Sequence, residues 1–207
     1  MFRSFFPCAF TLALAGCAAS GLSQAECHTA DWRAIGYEDG SQGKNTAALG
    51  EYRQSCAEHG VTPNFEAYMD GHGSGVALFC RPQNGFQLGA RGYRYGGVCP
   101  ADLEQTFLTA HADGLGLHQR RTTVDRLNKK IKRQHRRSQK TEKLMAEKTA
   151  ALISPQTLAP QRLTIGVELK QLTQERVELE RSISQLEVDL DHAEQDYQEY
   201  RESLERR

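Results

Sequence analysis

The chain has 207 residues, with 26 Lys and Arg against 26 Asp and Glu, so its formal net charge is zero. Proteins that coat nucleic acids carry a basic surplus, and this balance excludes that class. The length allows one or two domains. No interior stretch approaches the run of about 18 apolar residues that a membrane-spanning helix requires.

The first segment, residues 1–16, has the pattern of an export signal: one early positive charge, an apolar run, and the small pair Ala15-Gly16 before Cys17. Residues 14–17 resemble the lipobox of bacterial lipoproteins, in which the signal is removed before a cysteine that is then acylated, typically with palmitate. We therefore predict that Cys17 is the lipidation site and that residues 17–26 form a lipidated linker. The alternative is a secretory signal cut elsewhere, with Cys17 an ordinary thiol.

Lipidation would place the chain in the bacterial cell envelope, because two or more acyl chains are enough for stable anchoring. Ala18 is not the aspartate that typically retains such lipoproteins at the inner membrane. We therefore expect an outer-membrane protein that faces the periplasm.

Four cysteines remain after the lipobox, and an oxidising compartment predicts that they form two disulfides. Three connectivities are possible. We favour the sequential pairing because local loops close most readily, which pairs Cys27 with Cys56 and Cys80 with Cys99. A zinc site is the rival interpretation, but there is no CxxC pair and the spacings are long, so we expect neither a metal nor a cofactor.

Residues 27–111 contain these cysteines and most of the glycines and aromatic residues, which predicts one compact domain. Within it, the motif from Tyr37 to Gly43 recurs approximately 31 residues later, from Tyr68 to Gly75, and residues 88–93 form a looser third copy. Glycines four residues apart lie on one face of a helix and allow close approach of another backbone. This favours short, closely packed helices, with hairpin turns of a small sheet as the alternative.

Three side chains of this domain form a candidate polar site: Asp39, Asp70 and His72. The alternative is that the aspartates cap helices and that His72 lies on the surface. The glycine motifs lack the spacing of a phosphate-binding loop, and neither a serine nucleophile elbow nor an HExxH motif is present. We therefore expect no enzymatic activity and no catalytic residues.

Glycines, aromatic residues and cysteines recur through this domain in a distinctive series: Asp31-Trp32, Ile35-Gly36, Asp39-Gly40, Gly43, Tyr52, Cys56, Tyr68, Gly71, Gly75, Phe79-Cys80, Asn84-Gly85-Phe86, Gly89, Gly92, Tyr95 and Val98-Cys99-Pro100. This series resembles the bacterial lipoproteins grouped as domain of unknown function 2799. The resemblance implies an envelope location and paired cysteines, and it brings no known activity.

Residues 112–207 are rich in helix formers and charges, and their later part carries a heptad repeat, which is typical of a coiled coil. Prolines at 155 and 160 interrupt the helix, so a turn near residues 154–160 predicts an antiparallel coiled-coil hairpin. The seam residues are Ile165, Leu169, Leu172, Arg176, Leu179, Ile183, Leu186, Leu190, Ala193, Tyr197, Tyr200 and Leu204.

The two arms of this hairpin differ in charge. Residues 118–148 hold twelve Lys and Arg against three carboxylates, a net charge of +9, and residues 163–207 hold twelve carboxylates against six Lys and Arg, a net charge of −6. The acidic arm would repel a parallel copy of itself, so its expected partner is the basic arm. Contact of exposed basic residues with anionic envelope material is the alternative.

These features together predict a mainly α protein: a small disulfide-stabilised, glycine-rich helical domain followed by a long antiparallel coiled-coil hairpin. We expect a non-enzymatic envelope lipoprotein that presents a rod from a membrane anchor. Its expected partners are the membrane, through the lipid, and an envelope protein or a second copy, through the coiled coil, without nucleic acid. The alternative function is a periplasmic ligand-binding or enzymatic module with its polar site at Asp39, Asp70 and His72.

Overall fold

The computed structural model describes residues 22–206, and all regular secondary structure in that range is helical. The mainly α fold predicted from the sequence is confirmed. The predicted export signal and Cys17 lie outside the described residues. Among the described helices, none combines the length and apolar character required to span a membrane. In chain order the helices are α1 (Gln24–Thr29), α2 (Trp32–Ser41), α3 (Ala48–Ala57), α4 (Phe65–Phe79), α5 (Pro82–Ala90), α6 (Ala101–Ile153) and α7 (Ala159–Glu205).

Local sequence signals explain where several of these helices begin. Ser23 and Glu26 form a reciprocal capping box at the start of α1. The Asp31 carboxylate accepts hydrogen bonds from the first free amides of α2. Helix α5 begins with Pro82, because proline fits the first turn of a helix, where no amide partner is needed. Pro100 immediately precedes α6 as its N-cap residue.

The described residues divide into two compact units, the first ending at Phe79 and the second beginning at Cys80. Helices α1 to α4 belong to the first unit and α5 to α7 to the second. The boundary expected near residue 111 falls inside α6, which continues from Ala101 to Ile153. The amino-acid composition changes near residue 111, but α6 continues through that point. Its beginning packs against α5, and its later part forms the hairpin with α7.

Both disulfides have the sequential pairing. Cys27 is bonded to Cys56 in the first unit, and Cys80 to Cys99 in the second. The first bond joins α1, which precedes α2, to α3, which precedes α4. The second bond joins the residues just before α5 to those just before α6. Closing loops of this size stabilises a fold by about 3 kcal/mol in the chain-entropy model.

Helices α2 and α4 pack at four glycines: Gly36, Gly40, Gly71 and Gly75. A Cβ atom at any of these positions would overlap main-chain atoms of the opposite helix, so the two backbones are in direct contact. The predicted close packing of short helices at glycine is therefore what the first unit contains. Its hydrophobic core is Cys27, Trp32, Leu49, Cys56 and Tyr68.

Helices α5 and α6 repeat this arrangement in the second unit. Gly85 and Gly89 of α5 meet the main chain of α6, and Gly114 of α6 meets the main chain of α5. In each pair the first helix is followed two residues later by a glycine with positive φ, Gly43 at 73° after α2 and Gly92 at 78° after α5. The position of a Cβ atom at each of these two glycines is filled by an aromatic ring of the second helix.

The chain therefore contains two copies of one helix pair, α2 with α4 and α5 with the start of α6. The repeat expected at a spacing of 31 residues is a different one, because it equates α2 with α4, and these two helices are the partners within a single copy. The equivalences are Gly36, Tyr37, Gly40 and Gly43 with Gly85, Phe86, Gly89 and Gly92, and Tyr68, Gly71, His72 and Gly75 with Phe107, Ala110, His111 and Gly114.

Helices α6 and α7 form an antiparallel hairpin. Lys148 pairs with Glu168 near the turn, Arg137 with Glu175 further along, and Arg120 with Asp196 towards the base. All twelve predicted seam positions of α7 are buried or half-buried. The predicted heptad register and the pairing of a basic with an acidic arm are both present.

Candidate functional site

Asp39 lies in the last turn of α2, and its carboxylate is the centre of a buried polar cluster. The residue is 2% exposed. One carboxylate oxygen accepts hydrogen bonds from Lys44 Nζ at 2.8 Å and from the Tyr52 hydroxyl at 3.2 Å, and the other accepts from the Tyr68 hydroxyl at 3.0 Å. A buried negative charge near a helix C-terminus is unfavourable, and the three hydrogen-bond donors compensate for its cost.

The donors around Asp39 respond to that charge. The hydrogen bond to Asp39 raises the pKa of the Lys44 ammonium above its ordinary value. Burial, followed by the hydrogen bond to Asp39, raises the pKa of the Tyr52 and Tyr68 hydroxyls. All three groups therefore hold their protons more firmly in the folded protein than in the unfolded chain.

His72 is buried at the contact between α2 and α4, and its role is to anchor the chain after α2. It is 5% exposed, stacks on Tyr68, and its Nε2 lies 2.8 Å from the carbonyl oxygen of Lys44. A carbonyl only accepts, so the imidazole Nε2–H is the donor. In the second copy His111 stacks on Phe107 and donates in the same way to the carbonyl of Tyr93, also at 2.8 Å.

Asp70 is apart from this cluster. It forms an ion pair with Arg33 at 2.7 Å, and both side chains are about two-thirds exposed. The structure therefore brings Asp39 and His72 together around Lys44 and leaves Asp70 on the surface. The alternative of capping aspartates with a surface histidine also fails: Asp31, not Asp39, caps α2, and His72 is buried.

The remaining members of the cluster, Lys44, Tyr52 and Tyr68, were not identified from the sequence. The sequence repeat places Tyr37 and Tyr68 at equivalent positions of two helices. The spacing of the repeat does not show which of these two tyrosines faces the core. Tyr68 is fully buried, whereas Tyr37 is 43% exposed. Because every carboxylate oxygen and the imidazole Nε2 have partners within the protein, the cluster is suited to hold structure rather than to bind a ligand.

Residues 22–206 contain no group of three or more His, Cys, Asp or Glu placed to hold a metal ion.

A second candidate site is the end of the hairpin, where α6 turns into α7. Residues 149–167 carry a single charge, Arg162, within an otherwise strongly charged pair of helices. Four large apolar side chains are exposed there: Ile153 at 76%, Leu158 at 67%, Leu163 at 76% and Val167 at 59%. Large apolar side chains exposed together in one nearly uncharged segment are a feature of interaction sites.

The turn that carries this apolar end is held by internal hydrogen bonds. The Arg162 guanidinium donates to the carbonyls of Ser154 and Thr157, and the Thr157 hydroxyl donates to the carbonyl of Ala151. The Gln161 side chain accepts from the amide of Leu158. The one charged group of the turn, the Arg162 guanidinium, is therefore hydrogen-bonded within the turn itself. These hydrogen bonds fix the backbone that carries the exposed apolar side chains.

Comparison with known proteins identifies one similarity. Residues 31–116 match a family model described as "Protein of unknown function (DUF2799)". The match spans both copies of the helix pair and ends within α6. No curated protein and no solved structure matches the chain.

Proposed function

The chain belongs to the DUF2799 family through residues 31–116, and from that premise we propose that it is a non-enzymatic interaction protein whose hairpin end binds an apolar surface of another envelope component. The observation that carries the proposal is the exposure of Ile153, Leu158, Leu163 and Val167 around a nearly uncharged turn. We also propose that the chain is anchored by lipid at Cys17 and that it is located at the outer membrane, facing the periplasm.

The construction of the hairpin supports this role. Helix α6 has 53 residues, which at 1.5 Å per residue makes it about 80 Å long. Such a pair of helices carries its apolar end well away from the base of the hairpin. Burial of one valine, leucine or isoleucine side chain contributes about 1.5–3 kcal/mol, so these four side chains would provide the apolar part of such a contact.

The polar cluster supports the absence of catalysis. A general acid or base must reach a substrate proton, but the Asp39 carboxylate is buried and accepts three internal hydrogen bonds. His72 performs the same anchoring as its counterpart His111. The alternative function, a ligand-binding or enzymatic module at Asp39, Asp70 and His72, has no comparable support.

The test is photo-crosslinking of the full chain in living cells. A photoreactive residue at position 158 should give a discrete crosslinked product, and Leu163→Asp should abolish that product because it places a charge in the apolar contact. Position 188 is the control, since Val188 is 50% exposed on α7 but lies far along that helix from the turn. Equal products from positions 158 and 188 would contradict the proposal.

Lipid anchoring is tested separately with Cys17→Ala. We expect this variant to lose metabolic labelling with a palmitate analogue and to leave the membrane fraction. Retention in the membrane with unchanged labelling would refute the lipidation site while leaving the hairpin proposal intact.

A further inference from the structure

The first unit has an open groove along the pair α2 and α4. It is lined by Tyr37, Gly71 and Ser74, together with Ala34 and the charged residues Asp31, Arg33 and Glu38. Tyr37 is 43% exposed there, although it belongs to a helix whose opposite face is buried. The groove consists of residues of the first unit alone, so it is a different surface from the hairpin end.

The second copy of the helix pair has the equivalent groove, and there α7 forms one side of it. Phe86, Ala110 and Asp113 line this groove and are the structural counterparts of Tyr37, Gly71 and Ser74. The lining is completed by Leu117 of α6 and by Arg201, Leu204 and Glu205 from the last turns of α7.

The contact of α7 with the second copy shows what kind of segment suits this groove. The Tyr200 hydroxyl donates to the carbonyl of Asp113 at 3.3 Å, and the guanidinium of Arg120 lies 4.0 Å from the centre of the Tyr200 ring. Tyr200 and Leu204 are four residues apart and therefore lie on one face of α7. The segment of α7 beside this groove is thus an amphipathic helix with large apolar residues at this spacing.

The two grooves differ in charge. Asp31 and Glu38 are replaced in the second copy by Cys80, which is in a disulfide, and Gln87. Arg33 also lines the groove of the first copy, but its guanidinium is paired with Asp70. The groove between α2 and α4 therefore has an excess of negative charge that a partner with basic residues would neutralise.

We propose that the groove between α2 and α4 binds an amphipathic α-helix of another protein, with large apolar side chains over Tyr37 and Ser74 and basic side chains beside Asp31 and Glu38. The argument rests on the duplicated helix pair, in which the equivalent groove is lined on one side by such a helix of the same chain. A second copy of this protein is a less suitable occupant, because its own α7 is already packed beside the groove of its own second copy.

The probe for this proposal is a fluorescent peptide of residues 190–206 in which Glu199, Glu202 and Glu205 are replaced by lysine. It retains Tyr200 and Leu204 and has the basic flank that the groove requires. We expect saturable binding to the full chain by fluorescence anisotropy, weakened at least about tenfold by Ser74→Arg. The matched control is Gly73→Arg, since Gly73 is exposed on the same helix and a Cβ atom there meets nothing within 4 Å.

Two further peptides complete the test. The lysine peptide with Leu204→Ala should not bind, and the unmodified acidic peptide should bind several-fold more weakly at low salt, with the difference lost at high salt. Absence of saturable binding would overturn the proposal, as would equal binding to the wild type and to Ser74→Arg. Binding abolished by Asp113→Arg instead would show exchange with α7, and a dimer of the full chain dispersed by Ser74→Arg would show a second copy as the occupant.

Discussion

Asp39 distinguishes the two copies of the helix pair at the level of single residues. Its counterpart in the second copy is Leu88, and the counterpart of Tyr68 is Phe107. The second copy therefore builds the same helix contact without a buried carboxylate or the hydroxyl that serves it. A buried ionic network is often no more stabilising than well-packed apolar residues, which agrees with this substitution.

This comparison yields a prediction about Asp39. We expect Asp39→Leu alone to lower the free energy of unfolding by roughly 1–3 kcal/mol, because it leaves the buried Tyr68 hydroxyl without its acceptor. The double variant Asp39→Leu, Tyr68→Phe should recover most of that loss. Urea unfolding followed by fluorescence of Trp32, the one tryptophan of the chain, measures both.

The control is Asp70→Leu, whose ion pair with Arg33 is exposed on both sides and should contribute less than about 1 kcal/mol. A double variant less stable than the single one would show that the carboxylate has a role that the second copy does not reveal.

A pH dependence follows from the same cluster. Lys44, Tyr52 and Tyr68 all have pKa values raised in the folded protein, chiefly by the hydrogen bond to Asp39 for the lysine and by burial for the tyrosines. Above about pH 10 the unfolded chain releases protons that the folded chain retains. Their contribution to stability is present below that pH and is lost as pH rises through the folded-state pKa values.

We therefore expect the free energy of unfolding of the first unit to fall between pH 9 and pH 11, with a smaller fall in Tyr68→Phe. Trp32 fluorescence during urea unfolding at each pH provides the measurement. Constant or rising stability across that interval would contradict the assignment of these groups to a buried cluster.

Among the elements, the glycine contact between α2 and α4 sets the distance between the two helices. Gly75→Ala would drive a methyl group into the main chain at Tyr37 and Ser41, and we expect it to destabilise the first unit by more than about 2 kcal/mol. Gly73→Ala on the same helix has open space and should stabilise it by about 0.5–1 kcal/mol. Opposite signs in urea unfolding would establish the contact, and equal effects would refute it.

Much of the fold could be predicted because its signals are periodic or local. The heptad pattern from Ile165 to Leu204 identified the buried side of α7, and the prolines at 155 and 160 identified the turn. Glycines four residues apart marked the helix contact. These patterns depend on positions within one helix, so one sequence is enough to recognise them.

The polar cluster could not be predicted in full because it depends on contacts between helices. Asp39 and Asp70 stand in the same local sequence, yet one is 2% exposed and the other is on the surface. Which aspartate becomes buried depends on the crossing of α2 with α4. The duplicated helix pair could not be recognised for the same reason, since the two helices of one copy share a glycine motif with each other as well as with the next copy.

At the scale of the whole molecule, the neutral net charge combines a basic arm of +9, an acidic arm of −6 and a net charge of −3 on the remaining residues. The cross-hairpin pairs Arg120 with Asp196 and Arg137 with Glu175 join the two arms within the second unit. Each such exposed pair contributes only about 0.2–1 kcal/mol, so apolar seam residues such as Leu179 and Ile183 provide most of the stability and the charges select the partner arm.

Reversing one of these charges should therefore have a modest effect that its partner can correct. We expect Arg137→Glu to lower the thermal midpoint of the hairpin, because it places two carboxylates together, and Arg137→Glu with Glu175→Arg to restore it. Circular dichroism at 222 nm measures both midpoints. Arg136→Glu, at an exposed neighbouring position, should have a smaller effect, and failure of the double variant to recover would exclude direct pairing.

The turn between α6 and α7 also has a consequence for the order of folding. Pairs across the hairpin are separated by 38 residues at Arg137 and Glu175, by 76 at Arg120 and Asp196, and by 87 at Asp113 and Tyr200. The entropy lost in closing a loop grows with its length, so pairing is expected to begin at the turn and proceed towards the base. The last contact to close is then the one between Tyr200 and the disulfide-bonded helix pair, which makes completion of the second unit the final step in folding of the hairpin.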